Sequence, residues 1–262
     1  MAEAEVTARA LADPVLLSRV LESRSAHENG AGRLEVADAL ADEALHAARA
    51  AADDWAEAMA ASASAMAADS AAELRERVDL AASLLEGVGN VYHLADLLSS
   101  CAFAALCQGS DRYASELVAR AMPMMRQLDN PYQWMLLRGN VALTALLTGD
   151  ADTARASFDE ELRLCREIVA LPFASEGLAG LAAVAAVRDE LDRAARLCGA
   201  SCAHRYGKPE DPVDARLHAT YFEPARSRHG TDAWDAAGRE GAALSFEDAI
   251  AYALREHPPD AA

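Results

Sequence analysis

The densest cluster of groups able to do chemistry is Cys198, Cys202 and His204. Two cysteines four residues apart share one face of a helix, an arrangement that a zinc ion accepts. No fourth ligand is apparent and the surroundings are apolar, so the pattern favours cysteines packed in a core; an enzyme site around these three residues is the catalytic alternative. Other sources of chemistry are thinner. The histidines His27, His46, His93, His204, His218, His229 and His257 are scattered without an HExxH pattern, and no serine sits in a GxSxG elbow. "GVGN" (Gly87 to Asn90) lacks the preceding strand that a phosphate loop needs and reads as a helix-to-helix turn. The acids Asp53–Asp54, Asp159–Glu160–Glu161 and Glu247–Asp248 read as solvated charge at helix starts or on exposed faces. "AMPMM" (Ala121 to Met125) reads as packing around a kinked helix, with an adaptable binding patch as the alternative. The chain is therefore expected to hold no catalytic residue, no metal and no cofactor.

The elements that position these residues are helices. More than half of the 262 residues are hydrophobic, aromatics are only 5%, and much of the apolar content is alanine, the best helix former. The net charge of −18, with no basic stripe, repels polyphosphate and anionic lipid, which excludes direct nucleic-acid binding and a membrane surface. Basic, neutral or apolar partners fit. Five cysteines, an odd number in helical surroundings, indicate free thiols in a reducing compartment. The N-terminal "MAEAEVTARALADP" lacks a signal core, and the longest nearly uncharged run, Gly177 to Val187, is too short to span a bilayer. A cytoplasmic, soluble protein is expected.

A repeat runs through most of the chain. "AALCQGSDRYASEL" and "TALLTGDADTARASF" carry one skeleton, with Gly109 and Gly149 forty residues apart. The same step reaches Asp69 and Asp189, and a step of 37 reaches Gly32. Gly and Asp tolerate the backbone that ends one helix and starts another. Small residues flank these turns twelve apart: Ala102 with Ala114, Ala142 with Ala154, Ala182 with Ala194, and Ser25 with Ala37. The second unit departs, pairing Ser62 with Leu74. A larger apolar residue follows four positions on, at Val78, Val118, Phe158 and Cys198. Each unit reads as a helical hairpin, with the small residues at the contact and the larger one wedged against the next hairpin. Pro131 and Pro172 stand at helix starts, where a missing N–H costs nothing. Pro123 falls inside a second helix and should kink or break it.

This small–turn–small–large skeleton resembles tetratricopeptide repeats over residues 13 to 206. The resemblance implies an all-α solenoid of five helical hairpins over residues 1–206, followed by a helical cap and a frayed tail over 207–262. It also implies a concave groove lined by the first helix of each hairpin. The positions carried over are Met59, Ala63 and Met66; Asp96, Ser99 and Phe103; Leu136, Gly139 and Leu143; and Glu176, Ala179 and Ala183. Such a groove suits an amphipathic helix or an apolar small molecule bearing a positive group. The alternative is that it packs against the chain's own helix Ser245 to Leu254, or against a second copy.

Beyond "YGKPEDPVDARLH" (Tyr206 to His218), Ser245 can cap a helix with Asp248 as the acid of a capping box. Phe246, Ile250 and Leu254 mark its apolar face, and "HPPDAA" should fray. "LDRAARLCGAS" followed by "AWDAAGREGAALSFEDAIAYAL", with Trp234, Gly238, Leu244, Ser245 and Ala249, resembles the end of the helical-repeat region in LuxR- and AfsR-type bacterial signalling ATPases related to the maltose regulator. In that family a nucleotide-binding ATPase precedes the repeats, a DNA-binding domain flanks them, and the repeats sense an inducer or partner and control self-assembly. The resemblance implies a non-catalytic sensor or oligomerisation arm, or a free-standing relative, that binds a protein, a peptide, a small-molecule effector or its own copy. A ligand preferring one curvature of the solenoid would bias assembly. A peptide-binding scaffold unrelated to transcription is the alternative.

Overall fold

The computed structural model describes residues 2–207 and 210–254, and every regular element among them is helical. The tail expected to fray lies outside the described residues. The chain divides into two compact units between Leu128 and Asp129. The N-terminal unit holds α1 (Ala2–Leu11), α2 (Pro14–Gly30), α3 (Leu34–Ala51), α4 (Asp54–Met66), α5 (Ala71–Gly87), α6 (Val91–Cys107) and α7 (Asp111–Met125). The C-terminal unit holds α8 (Pro131–Leu147), α9 (Ala151–Glu167), α10 (Leu171–Val187) and α11 (Leu191–Ala203). It continues with α12 (Pro212–Leu217), a π-helical turn (His218–Phe222), α13 (Glu223–His229), α14 (Thr231–Ala242) and α15 (Phe246–Ala253). Helices pack in consecutive pairs, α2/α3, α4/α5 and α6/α7 in the first unit and α8/α9 and α10/α11 in the second. No described helix is long and apolar enough to cross a membrane.

The twelve-residue pairs are the contacts of these hairpins. Ala37, Ala102, Ala114, Ala142, Ala154, Ala182 and Ala194 are fully buried, and the Ser25 hydroxyl donates to the Ala37 carbonyl at 2.7 Å. Of the wedge residues, Val78 and Phe158 are fully buried, and Val118 nearly so. The Phe158 ring lies where Gly180 of the next hairpin has no side chain: a Cβ there would stand 2.1 Å from Cζ. Contacts also recur at the repeat spacing. Gln108 Nε2 donates to the Ala68 carbonyl at 2.8 Å, Asn29 Nδ2 to the Met66 carbonyl at 3.2 Å, and Arg77 pairs with Asp38. Each ties a hairpin to its neighbour.

The uneven period has a local cause. Helices α2, α5, α6, α8, α9 and α10 have 17 residues, whereas α4 has 13. Helix α4 lacks one turn, and its link to α5 is one residue longer than the other intrahairpin links, which makes that unit three residues short. Asp69 therefore sits in a different turn and lacks the positive φ of Gly32, Gly109, Gly149 and Asp189. Pro123 does not break α7 but ends it early. The helix runs two residues past the proline to Met125, and a longer link restores the period. Met125 is buried, while Met122 and Met124 are half-buried.

A second series of turns, between hairpins, has little sequence signal. Ala52, Gly89, Asp129 and Val169 all have positive φ, and Asp53, Asn90 and Asn130 cap following helices by accepting a backbone N–H. Val169, at φ 56°, is a β-branched residue in the left-handed region, and it is 67% exposed. Strain is present and little packing depends on the side chain. Val169→Gly is expected to stabilise the protein by about 0.5–1 kcal/mol, the left-handed penalty less the entropy of glycine. The urea midpoint should rise; a fall would contradict the strain.

Candidate binding faces of the first helices

In the N-terminal unit the first helices are α2, α4 and α6. Helix α4 is alanine-rich, with Ala56, Ala58, Ala60, Ala61, Ala63 and Ala65 all buried, so neighbouring helices approach closely. Along its i, i+4, i+7 stripe, Met59 and Met66 are half-buried and Ala63 is buried. On α6, Asp96 and Phe103 are half-buried and Ser99 is buried. Helices α4 and α6 touch, and their first turns are joined by the Trp55 and His93 rings, 5.0 Å apart and edge to face. The Cys101 thiol is pushed up by burial and by the Asp96 charge beside it. The stripe thus offers two flexible thioethers, an aromatic ring and an acid.

In the C-terminal unit most of the corresponding positions are closed. Leu136 and Glu176 are half-buried, but Gly139, Leu143, Ala179 and Ala183 are buried. Helix α10 is buried continuously from Gly177 to Ala186. Its cover is the chain itself: α12, the π turn and α15 all pack on α10. The Tyr221 hydroxyl donates to the Leu146 carbonyl at 3.0 Å, and Arg228 reaches the Ala186 carbonyl at 3.2 Å. Helix α15, with Ala249 and Ile250 buried, is held by Arg193, which donates to the Ala253 carbonyl at 2.8 Å. Self-covering by Ser245 to Leu254 is one of the alternatives the sequence offers; residues 212–222, within the stretch expected to form a helical cap, also pack on α10. The Ser245 cap forms as expected, with its Oγ accepting from the Asp248 N–H at 3.1 Å and donating to the Asp248 carboxylate at 2.7 Å. The full reciprocal capping box occurs instead between Asp211 and Asp214.

Two sequence readings need correction. Glu161 is not solvated but only 2% exposed. Its carboxylate occupies the space left by Gly139 and Gly177; a Cβ on Gly139 would stand 2.7 Å from Oε1. Its neighbours Asp159 and Glu160 are half-buried, and Glu160 accepts from Trp134 Nε1 at 2.7 Å and pairs with Arg138. The cysteines also differ from the core reading. All five are free, but Cys107 and Cys198 are half-buried and Cys202 is exposed. Helix α11 has only 13 residues, so Cys202 falls in its last turn, where the chain bends away.

His204 does not join the cysteines. It is buried at the end of α11, with Nε2 3.0 Å from the Leu244 carbonyl and Nδ1 3.3 Å from the Tyr206 hydroxyl, and its ring lies against Phe246. It pins the link between α14 and α15. Among the described residues no group of three or more His, Cys, Asp or Glu side chains could hold a metal ion. The tightest junction is that of α14 on α11: a Cβ on Gly199 would stand 1.9 Å from the Gly238 carbonyl oxygen, and one on Gly241 would stand 1.8 Å from that of Arg196. Trp234 and Gly238, part of the C-terminal motif, belong to this packed helix. No protein-family model and no curated protein matches the chain.

Proposed function

We propose that this chain is a non-catalytic recognition module of tetratricopeptide type, and that its partner docks on the first-helix face of the N-terminal unit. One contrast carries the reading. Of the groove positions on α10, Ala179 and Ala183 are buried on a helix that the chain's own C-terminal segment packs against, whereas Met59, Met66, Asp96 and Phe103 keep part of their surface open. Thioethers adapt to varied apolar shapes, and an amphipathic helix laid on such a face anchors through residues a turn apart. The acid at Asp96 and the net charge of −18 select a cationic partner. The C-terminal motif at Trp234, Gly238, Leu244, Ser245 and Ala249 favours the sensor or assembly arm of a LuxR- or AfsR-type regulator, or a free-standing relative.

Selection of helical peptides from a display library on the full chain tests this. The retained peptides should combine an apolar stripe with Lys or Arg. Phe103→Ala and Met59→Ala should each weaken binding by roughly tenfold while shifting the melting temperature little, since both side chains are only half-buried. Leu143→Ala is a poor probe of the same face: Leu143 is 4% exposed, so its truncation should destabilise the fold by about 2–5 kcal/mol. Retained peptides without basic residues, or binding indifferent to both N-terminal substitutions, would contradict the reading.

A further inference from the structure

Helix α1 holds the position of a second helix but has no hairpin mate among the described residues. Ala12, with φ 50°, lies forty residues before Ala52 and repeats the turn between hairpins. The Asp13 side chain accepts from the Leu16 N–H at 3.1 Å, as Asp53 does from that of Ala56. Aligned on this turn, the residues of α1 match positions in α3, α5, α7 and α9. Eight residues before the turn stand Ala44, Ala81, Ala121 and Glu161, all buried, but Ala4 is exposed. One residue before it stand Ala51, Val88, Leu128 and Ile168, all half-buried, but Leu11 is 64% exposed. Thr7 is exposed where Ala47 is buried and Leu84, Met124 and Leu164 are half-buried. Ala4, Thr7 and Leu11 follow i, i+3, i+7 and form one stripe of the helix. Val6 differs: its equivalents His46, Ser83, Pro123 and Arg163 are exposed too, so it lies on the outer surface of the repeat. Leu16 of α2, 37% exposed, completes the patch. Its equivalents meet the preceding first helix: the His93 ring packs on Trp55, and that of Phe173 on Tyr132 at 5.8 Å.

We infer that this end of the N-terminal unit is an interface with a second copy of the chain, in which α1 of each copy takes the place that a first helix holds in the other hairpins. Hairpin mates run antiparallel. An antiparallel pairing about Thr7 sets Leu11 of each copy against Ala4 of the other, large against small, which gives the self-complementary surface of a two-fold interface. The acidic first turn, with Glu3 and Glu5, then lies beside the other copy's last turn, which holds Arg9. The Thr7 hydroxyl already donates to the Glu3 carbonyl at 2.9 Å, so covering it strands no donor. Residues 1–33 carry five acids and four arginines, so little of the net charge of −18 opposes a second copy here. The patch is smaller than the roughly 20–30 residues a side of a standard interface, so the dimer is weak and concentration-dependent. It is independent of the partner site on α4 and α6.

Sedimentation equilibrium of the full chain, run up to millimolar concentration, should show a reversible equilibrium between monomer and dimer. Leu11→Glu and Thr7→Glu should each weaken the dimer by about tenfold or more, because a symmetric seam receives every new carboxylate twice. Both side chains are exposed, so the melting temperatures should stay near that of the parent. Val6→Glu, on the outer surface of the same helix, should leave the dimer as it was. A chain that stays monomeric throughout, a dimer that persists in Leu11→Glu and Thr7→Glu, or one that Val6→Glu weakens as much as they do would overturn the proposal.

Discussion

Phe158→Ala is expected to cost about 3–5 kcal/mol, among the largest losses of any single substitution in this chain. The ring is fully buried and its tip fills the hollow at Gly180, so truncation leaves a cavity between consecutive hairpins. The converse change, Gly180→Ala, should also be severe, because its Cβ would stand 2.1–2.4 Å from three ring carbons. The two changes share one space. In the Phe158→Ala background the penalty of Gly180→Ala should largely vanish, and a double-mutant cycle should return a coupling on the order of 2 kcal/mol. Urea unfolding followed by tryptophan fluorescence can localise the loss: Trp134 and Trp234 report on the C-terminal unit and Trp55 on the N-terminal one. Additive effects of the two substitutions would mean that Phe158 is not the wedge described.

Gly199→Ala and Gly241→Ala should each release the C-terminal cap. The atoms that a new methyl would strike are backbone carbonyl oxygens, of Gly238 and Arg196, at 1.9 and 1.8 Å, and neither can rotate away as a side chain would. Helix α14 must part from α11, and the His204 bond to Leu244 and the Arg193 bond to Ala253 are lost with it. Overpacking of this kind costs roughly 3 kcal/mol or more where the backbone itself obstructs. Limited proteolysis reads the consequence directly. Cleavage should appear across residues 205–245 in either variant while α2 to α7 stay resistant. Unchanged resistance, with an unchanged melting temperature, would show that α14 does not depend on this approach.

Gly109, Gly149 and Asp189 advertise their turns because a positive φ selects those residue types, and the alanine pairs twelve apart advertise the contacts beneath them. Together they made the hairpins legible. Ala52 and Val169 adopt the same left-handed backbone with residues that normally avoid it, so two of the four turns between hairpins carried no signal. The missing turn of α4 was visible only as a step of 37, without its cause. Glu161 misled because an acid beside two others usually faces water; Gly139 and Gly177, on different helices, make the space that buries it. The candidate site was legible as positions along helices and not as exposed surface. Leu143 and Phe103 occupy equivalent places in the repeat, yet the chain folds its own residues 212–222 over one unit and leaves the other half-open. Cys202 looked like a core residue because the repeat continued past it in sequence, whereas α11 stops one residue later.

Hydrogen exchange on the full chain, with and without a saturating basic amphipathic peptide taken from the display selection, tests the central claim most directly. Recognition through the open face predicts slowed exchange in α4 and α6, around Met59, Met66 and Phe103, with α10 and its cover already protected and unchanged. Protection appearing instead on α10 or across residues 212–222, with α4 and α6 unaffected, would place recognition elsewhere and contradict the account.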